Sequence, residues 1–137
     1  MRSINKFKFQ MPKKNQKKVL VIDDEKVLRE LLLSKIGQAG FEVVGAADGD
    51  EGLKKALAEH PDLILLDIIM PKMDGITMLK KLREDVWGKI VPVIVLSNLN
   101  TAEAVEKSLE SGAYDYLVKV DYSLDDLVGV VRKKLGA

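Results

Sequence analysis

The feature that most constrains this chain is an alternation: five short apolar runs, each followed by a stretch of helical period. The runs read as strands at Val19 to Ile22, Phe41 to Ala46, Leu63 to Leu66, Val91 to Leu96 and Tyr116 to Val118. After each run, apolar residues recur at three- and four-residue spacing. They are Val27, Leu28, Leu31, Leu32 and Ile36; then Leu53, Ala56 and Leu57; then Ile76, Met78, Leu79 and Leu82. Ala104, Val105 and Leu109 follow, and Leu124, Leu127, Val128 and Val131 close the series. Strand and helix signals in strict alternation specify an α/β fold, a doubly wound parallel five-stranded sheet of (βα)5 type. Because βαβ crossovers are right-handed, the C-terminal ends of all five strands lie on one edge of the sheet.

That edge is where a site is to be sought. The stretch VLVIDDE (19–25) runs from a buried strand straight into carboxylates, and burying unpaired charge costs several kcal/mol or more, on the order of a whole interaction. The residues at the strand ends are Asp23 and Asp24 after the first, Asp67 after the third, Ser97 after the fourth and Lys119 after the fifth. Carboxylates in close contact repel by about 4 kcal/mol per pair at an effective dielectric near 20, so a cation is needed among them. Oxygen donors without His or Cys suit Mg2+ or Mn2+. With Lys119 and Ser97 facing the same crevice, the edge can stabilise a phosphoryl group on or near Asp67. An aspartate so surrounded can act as a phosphate-accepting nucleophile.

Length and composition narrow the function classes. At 137 residues the chain is one ordinary domain, and no apolar run approaches the roughly 20 residues of a membrane span. The absence of cysteine excludes disulfides, thiolate metal sites and thiol nucleophiles. Basic residues at the N-terminus are not followed by the apolar stretch of a secretory signal, so the expected location is the cytoplasm. The net charge of +1 is unevenly distributed. Residues 1–18 hold seven Lys and Arg and no acid, leaving 15 basic residues against 21 acidic ones in the remainder. An acidic body does not track a phosphate backbone, so no nucleic-acid contact is expected of the folded part. Residues 1–17 read as a basic, disordered tail and 18–137 as the folded domain.

At this point the chain resembles the response-regulator receiver domain, the family of the chemotaxis switch protein. The resemblance is carried by Asp23-Asp24, LILLDIIMPKMDG (63–75), Ser97 after PVIVL, and SGAYDYLVK (111–119). It implies the strand order 2-1-3-4-5 of flavodoxin-like folds, an order already associated with that chemotaxis protein. It also implies phosphorylation of Asp67 by a histidine kinase or a histidine phosphotransfer protein. Mg2+ would be held by Asp24, Asp67 and the backbone carbonyl of Ile69, with Asp23 orienting its waters. Lys119 would pair with the phosphoryl group, while Ser97 and Tyr116 would act as switch residues. Output would appear on the face of helix 4, strand 5 and helix 5, read by an unidentified downstream protein, with homodimerisation a further expectation. The domain would be a switch that catalyses its own phosphoryl transfer and slow autodephosphorylation, not an enzyme acting on separate substrates.

Two positions depart from the family pattern. Val120 stands where a proline usually follows the lysine, so the Lys119–Val120 bond is either trans or strained. Asn98 stands where a small residue is usual and is expected to narrow access to the phosphoryl group. Three rivals compete with the switch. A flavin phosphate would be repelled by DDE after strand 1. A phosphoaspartate hydrolase resembles a D-x-D pattern, and Asp67-Ile68-Ile69 lacks the second acid. A phosphorylation-independent pseudoreceiver, a pure interaction module, has no need of the five site residues. His60, the only histidine, and Met70, Met73 and Met78 read as structural, and Trp87 has no assigned role.

Overall fold

The computed structural model describes residues 16–136. Five strands, β1 (Lys18–Ile22), β2 (Glu42–Ala46), β3 (Leu63–Leu66), β4 (Val93–Ser97) and β5 (Asp115–Val118), alternate with five helices. The helices are α1 (Lys26–Gln38), α2 (Gly49–Glu59), α3 (Gly75–Arg83), α4 (Ala102–Glu110) and α5 (Leu124–Leu135). All strand pairs are parallel, in the order β2-β1-β3-β4-β5. The chain moves outward from β1 to β2 and then returns to β3 on the other side of β1. The order therefore reverses between β1 and β3, and the crevice of an open α/β sheet opens at that point.

Successive side chains of a strand point to opposite faces, which divides the core into two layers. On one face Val19, Val21, Leu63, Leu65, Ile94, Leu96 and Leu117 pack against Leu32 and Ile36 of α1 and Leu127 and Val131 of α5. On the other, Leu20, Ile22, Ile64, Leu66 and Val93 pack against Ala56 of α2 and Met78, Leu79 and Leu82 of α3. A smaller cluster of Ile68, Val95 and Ala104 seats α4. β1, β3 and β4 are buried on both faces, as their unbroken apolar sequences require, whereas the edge strand β2 is only half-buried.

Local chemistry sets the boundaries. β4 starts at Val93 instead of Val91 because Pro92 has no N–H; its carbonyl instead accepts from Ile64. α2 ends at His60, which takes the left-handed conformation (φ 48°) ahead of Pro61 and stacks on Trp87 at 4.2 Å. Trp87 thus has the packing role that the sequence left unassigned. Met78 is fully buried, and Met70 and Met73 pack against the same layer. Val27 and Leu31 share the helical period of α1 yet stand exposed, because only the stripe through Leu32 and Ile36 meets the sheet. Arg83, at the end of α3, donates to the carbonyls of Gly88, Val91 and Gly112 at 2.6, 2.7 and 2.6 Å. It stitches α3 to the segments before β4 and β5.

Of the basic tail, residues 1–15 lie outside the described residues. Lys17 already belongs to the fold, its carbonyl accepting from Glu42 N, and the Gln16 side chain reaches Gly40 O at 2.8 Å. Among the described residues no helix is long and apolar enough to cross a membrane.

Candidate functional site

Strand pairing brings the first two acids together. Asp23 follows β1 and donates its N–H to Ala46 O, while Asp67 follows β3 and donates to Ile22 O, each at 3.0 Å. Both carboxylates are buried, with Asp23 1% and Asp67 6% exposed. Each is aimed by a backbone amide two residues on: Asp23 Oδ1 accepts from Glu25 N at 2.8 Å and Asp67 Oδ1 from Ile69 N at 3.2 Å. Arg29 Nη1 grips the carbonyl of Asp23 at 2.7 Å. Behind Asp67, a Cβ at Gly75 would collide with the Asp67 carbonyl, so only glycine lets α3 start this close to the strand end. Asp74 caps that helix by accepting from Thr77 N and Oγ1, each at 2.9 Å.

Lys119, at the end of β5, crosses to this pair. Its ammonium lies 2.8 Å from Asp23 Oδ2, 3.2 Å from Asp67 Oδ2 and 2.7 Å from Glu25 Oε1. Burial disfavours the charge on Lys119, but the hydrogen bonds it donates to Asp23 and Glu25 and the charge of Asp67 outweigh it and hold its pKa above the ordinary lysine value. Asp23 also titrates above the usual carboxylate range: burial raises it further than Lys119 and the Glu25 N–H pull it down. Asp24 is exposed and lines the mouth of the same cleft, a space of about 260 Å³ bounded also by Glu25, Asp67, Ile69, Ser97, Leu99 and Lys119.

The far wall comes from β4. Ser97 is 1% exposed, and its Oγ accepts from Leu99 N at 3.2 Å. The Tyr116 hydroxyl donates to Leu99 O, and burial raises its pKa. Asn98 Oδ1 accepts from Val120 N at 3.1 Å, tying the loop after β4 to the turn after β5. A proline at 120 would have no N–H to offer, so the two departures from the family pattern form one hydrogen bond. The Lys119–Val120 bond is trans, there being no cis peptide among the described residues.

The sequence-derived residues Asp23, Asp67, Ser97 and Lys119 therefore converge, with Asp24 and Ile69 at the rim and Tyr116 tied to Leu99. Sequence reasoning passed over Glu25, although it is the third acid of the DDE run; its spacing alone did not reveal that its side chain turns back from the helix start. Oxygens of Asp23, Glu25 and Asp67 lie within 4.8 Å of one another, a set able to hold a metal ion. A purely carboxylate donor set fits a hard divalent cation such as Mg2+, not a soft one.

A family model described as the response regulator receiver domain matches residues 19–132. The chain belongs to this family. Among curated relatives, the receiver is 40% identical over 121 residues to the probable transcriptional regulator ycf27 of Cyanophora paradoxa, covering 88% of this chain and 49% of that protein. It is 42% identical over 103 residues to the alkaline phosphatase synthesis transcriptional regulatory protein PhoP of Bacillus subtilis, covering 75% of this chain and 42% of that one. The receiver thus spans about half the length of the curated relatives it matches. In structure it is similar to the chemotaxis response regulator CheY4 of Vibrio cholerae, with a TM-score of 0.80 and 31% identity, covering 86% of this chain and 98% of that one.

Proposed function

We propose that this receiver is a phosphorylation-dependent signalling switch of a two-component system, with Asp67 as the phosphoryl acceptor. The observation that carries the reading is the environment of Asp67: a buried carboxylate at the floor of an open cleft, with one oxygen fixed by Ile69 N and the other 3.2 Å from the Lys119 ammonium. The donor is a phosphohistidine on a histidine kinase or a histidine phosphotransfer protein. An Asp67 oxygen attacks phosphorus, the phosphorus–nitrogen bond breaks, and the electron pair returns to the donor imidazole. Resetting reverses the charge flow: water attacks phosphorus and the Asp67 carboxylate leaves.

Asp23, Asp24, Asp67 and the carbonyl of Ile69 would hold Mg2+, with Glu25 adding negative charge beside them. When bound, the ion supplies positive charge for the oxygens of the transferring group. The chain's own residues do the rest. Lys119 neutralises phosphoryl charge from the β5 side, and the Ser97 hydroxyl, released from Leu99 N, donates to a phosphoryl oxygen. Any shift of Ser97 is felt by Tyr116 through the Leu99 carbonyl that Tyr116 holds. The change reaches the α4, β5 and α5 face, where a downstream protein or a second copy of the domain reads it. Location in the cytoplasm follows from that partner class.

Uptake of beryllofluoride, which stands in for a phosphoryl group on a carboxylate, tests the reading. With Mg2+ present, amide resonances around 67, 97, 116 and 119 are expected to shift together. A spectrum unchanged by beryllofluoride would instead favour a phosphorylation-independent interaction module.

A further inference from the structure

Four of the five helices begin on a side chain that caps them. Asp48 accepts from Glu51 N, Asp74 from Thr77 N, Thr101 from Ala104 N and Ser123 from Asp126 N. α1 is the exception: Glu25 occupies its cap position and makes no capping bond. Its carboxylate turns away from the free amides of its own helix to Lys119, 94 residues along the chain, in the shortest of the three ion pairs that lysine makes. A glutamate at this position gives up a cap to hold the cation.

An ammonium has three N–H donors. In Lys119 they face three carboxylates, Asp23, Glu25 and Asp67, so the cation turns fully to a phosphoryl group on Asp67 only as its hold on Asp23 or Glu25 loosens. The Asp23 side chain is 2% exposed, and releasing the cation would strand it as buried charge, whereas Asp67 hands its own charge to the phosphoryl group it carries. The Glu25 side chain is 58% exposed and can be solvated when it lets go.

We propose that Glu25 is a positioning residue that latches Lys119 in the unmodified domain and sets how readily the cation transfers to a phosphoryl group on Asp67. The inference rests on Asp67 being the acceptor. Release costs the Glu25–Lys119 pair, and formation of the modified state returns a pair between Lys119 and the phosphoryl oxygen. The latch therefore biases the switch toward its unmodified state. Glu25 has the opposite effect on a metal ion, because its oxygen lies in the same carboxylate group and its negative charge attracts a divalent cation.

Two affinities of the full chain separate these effects: Mg2+ alone, and beryllofluoride at saturating Mg2+, each followed by amide chemical shifts. Glu25→Gln is expected to bind beryllofluoride about threefold tighter and Mg2+ about twofold weaker, in keeping with a partly exposed ion pair. Glu25→Ser should give the same opposite changes while restoring a capping oxygen to α1, so that it melts no lower than wild type. A role confined to the helix start would move the melting temperature and neither affinity. Unchanged or weaker beryllofluoride binding in both variants, with wild-type uptake intact, overturns the latch alone. Failure of wild type to take up beryllofluoride overturns the acceptor reading, and the latch with it.

Discussion

At the scale of single residues, the site holds charge at a cost to the fold. Asp23 titrates above its usual range because burial outweighs the help of Lys119 and the Glu25 N–H. For a carboxylate raised in this way, the favourable contribution belongs to the protonated form; it is complete below the unfolded pKa and is lost as pH rises through the folded one. At neutral pH the ionised group therefore destabilises the domain. Without metal, Asp23→Asn is expected to melt higher than wild type at pH 7, with the difference vanishing below about pH 3, where both side chains are neutral. Thermal melts across that range check it, and a lower melting temperature at pH 7 would count against it. In the proposed reset step water would reach phosphorus past Ile69 and Leu99, two aliphatic side chains that line the acceptor cleft and also the groove of about 420 Å³ beside it. Neither can orient a water for attack on phosphorus. Replacing them together, Ile69→Asn with Leu99→Glu, should shorten the lifetime of the phosphorylated domain by about tenfold or more at saturating Mg2+, less than the roughly hundredfold at the lower end of what a fully positioned base contributes. Equal lifetimes would show that water access is not what limits the reset. Asp23, Asp67, Ser97 and Lys119 were legible in the sequence because parallel strands put their C-terminal ends on one edge. Glu25 was not, since a residue at a helix start has no orientation that periodicity reveals.

At the scale of elements, the helices depend on caps and the loops on one arginine. Ser123 and Asp126 form a reciprocal capping box at the start of α5, and Ser123→Ala should cost about 1 kcal/mol in urea unfolding. Arg83 directs its guanidinium to three carbonyls and pairs with no carboxylate among the described residues, and burial lowers its pKa from the ordinary value. Arg83→Met keeps the length of the stem but leaves those carbonyls unpaired, which should cost about 2–4 kcal/mol in the same measurement. A loss near that of Ser123→Ala would mean that water replaces the guanidinium. Strand and helix identities were readable from the apolar pattern, but their limits were set by single residues: Pro92 delays β4, and His60 in the left-handed conformation ends α2. The Arg83 contacts carried no sequence signal, because their partners are backbone carbonyls, which look alike at every position.

At the scale of the whole molecule, every buried core residue among the described residues lies between Val19 and Val131. The alternation of strand and helix was enough to specify the (βα)5 class; the strand order was implied by family resemblance, since right-handed crossovers alone allow more than one order. Removing residues 1–15 is expected to leave both the melting temperature and phosphorylation unchanged, as Lys17, Lys18 and their partners Glu42, Asp62 and Glu59 remain in place. A marked drop in melting temperature would show that the tail contributes to the folded body. Phosphorylation of Asp67 leaves a chemical trace that can be located in the chain. After treatment of the full chain with acetyl phosphate and Mg2+, borohydride reduction converts an aspartyl phosphate to homoserine, and peptide mass spectrometry locates it. Homoserine is expected in place of Asp67 and nowhere else, and the label should be lost in Asp67→Asn; phosphate on Ser97, or labelling undiminished in that variant, would contradict the account.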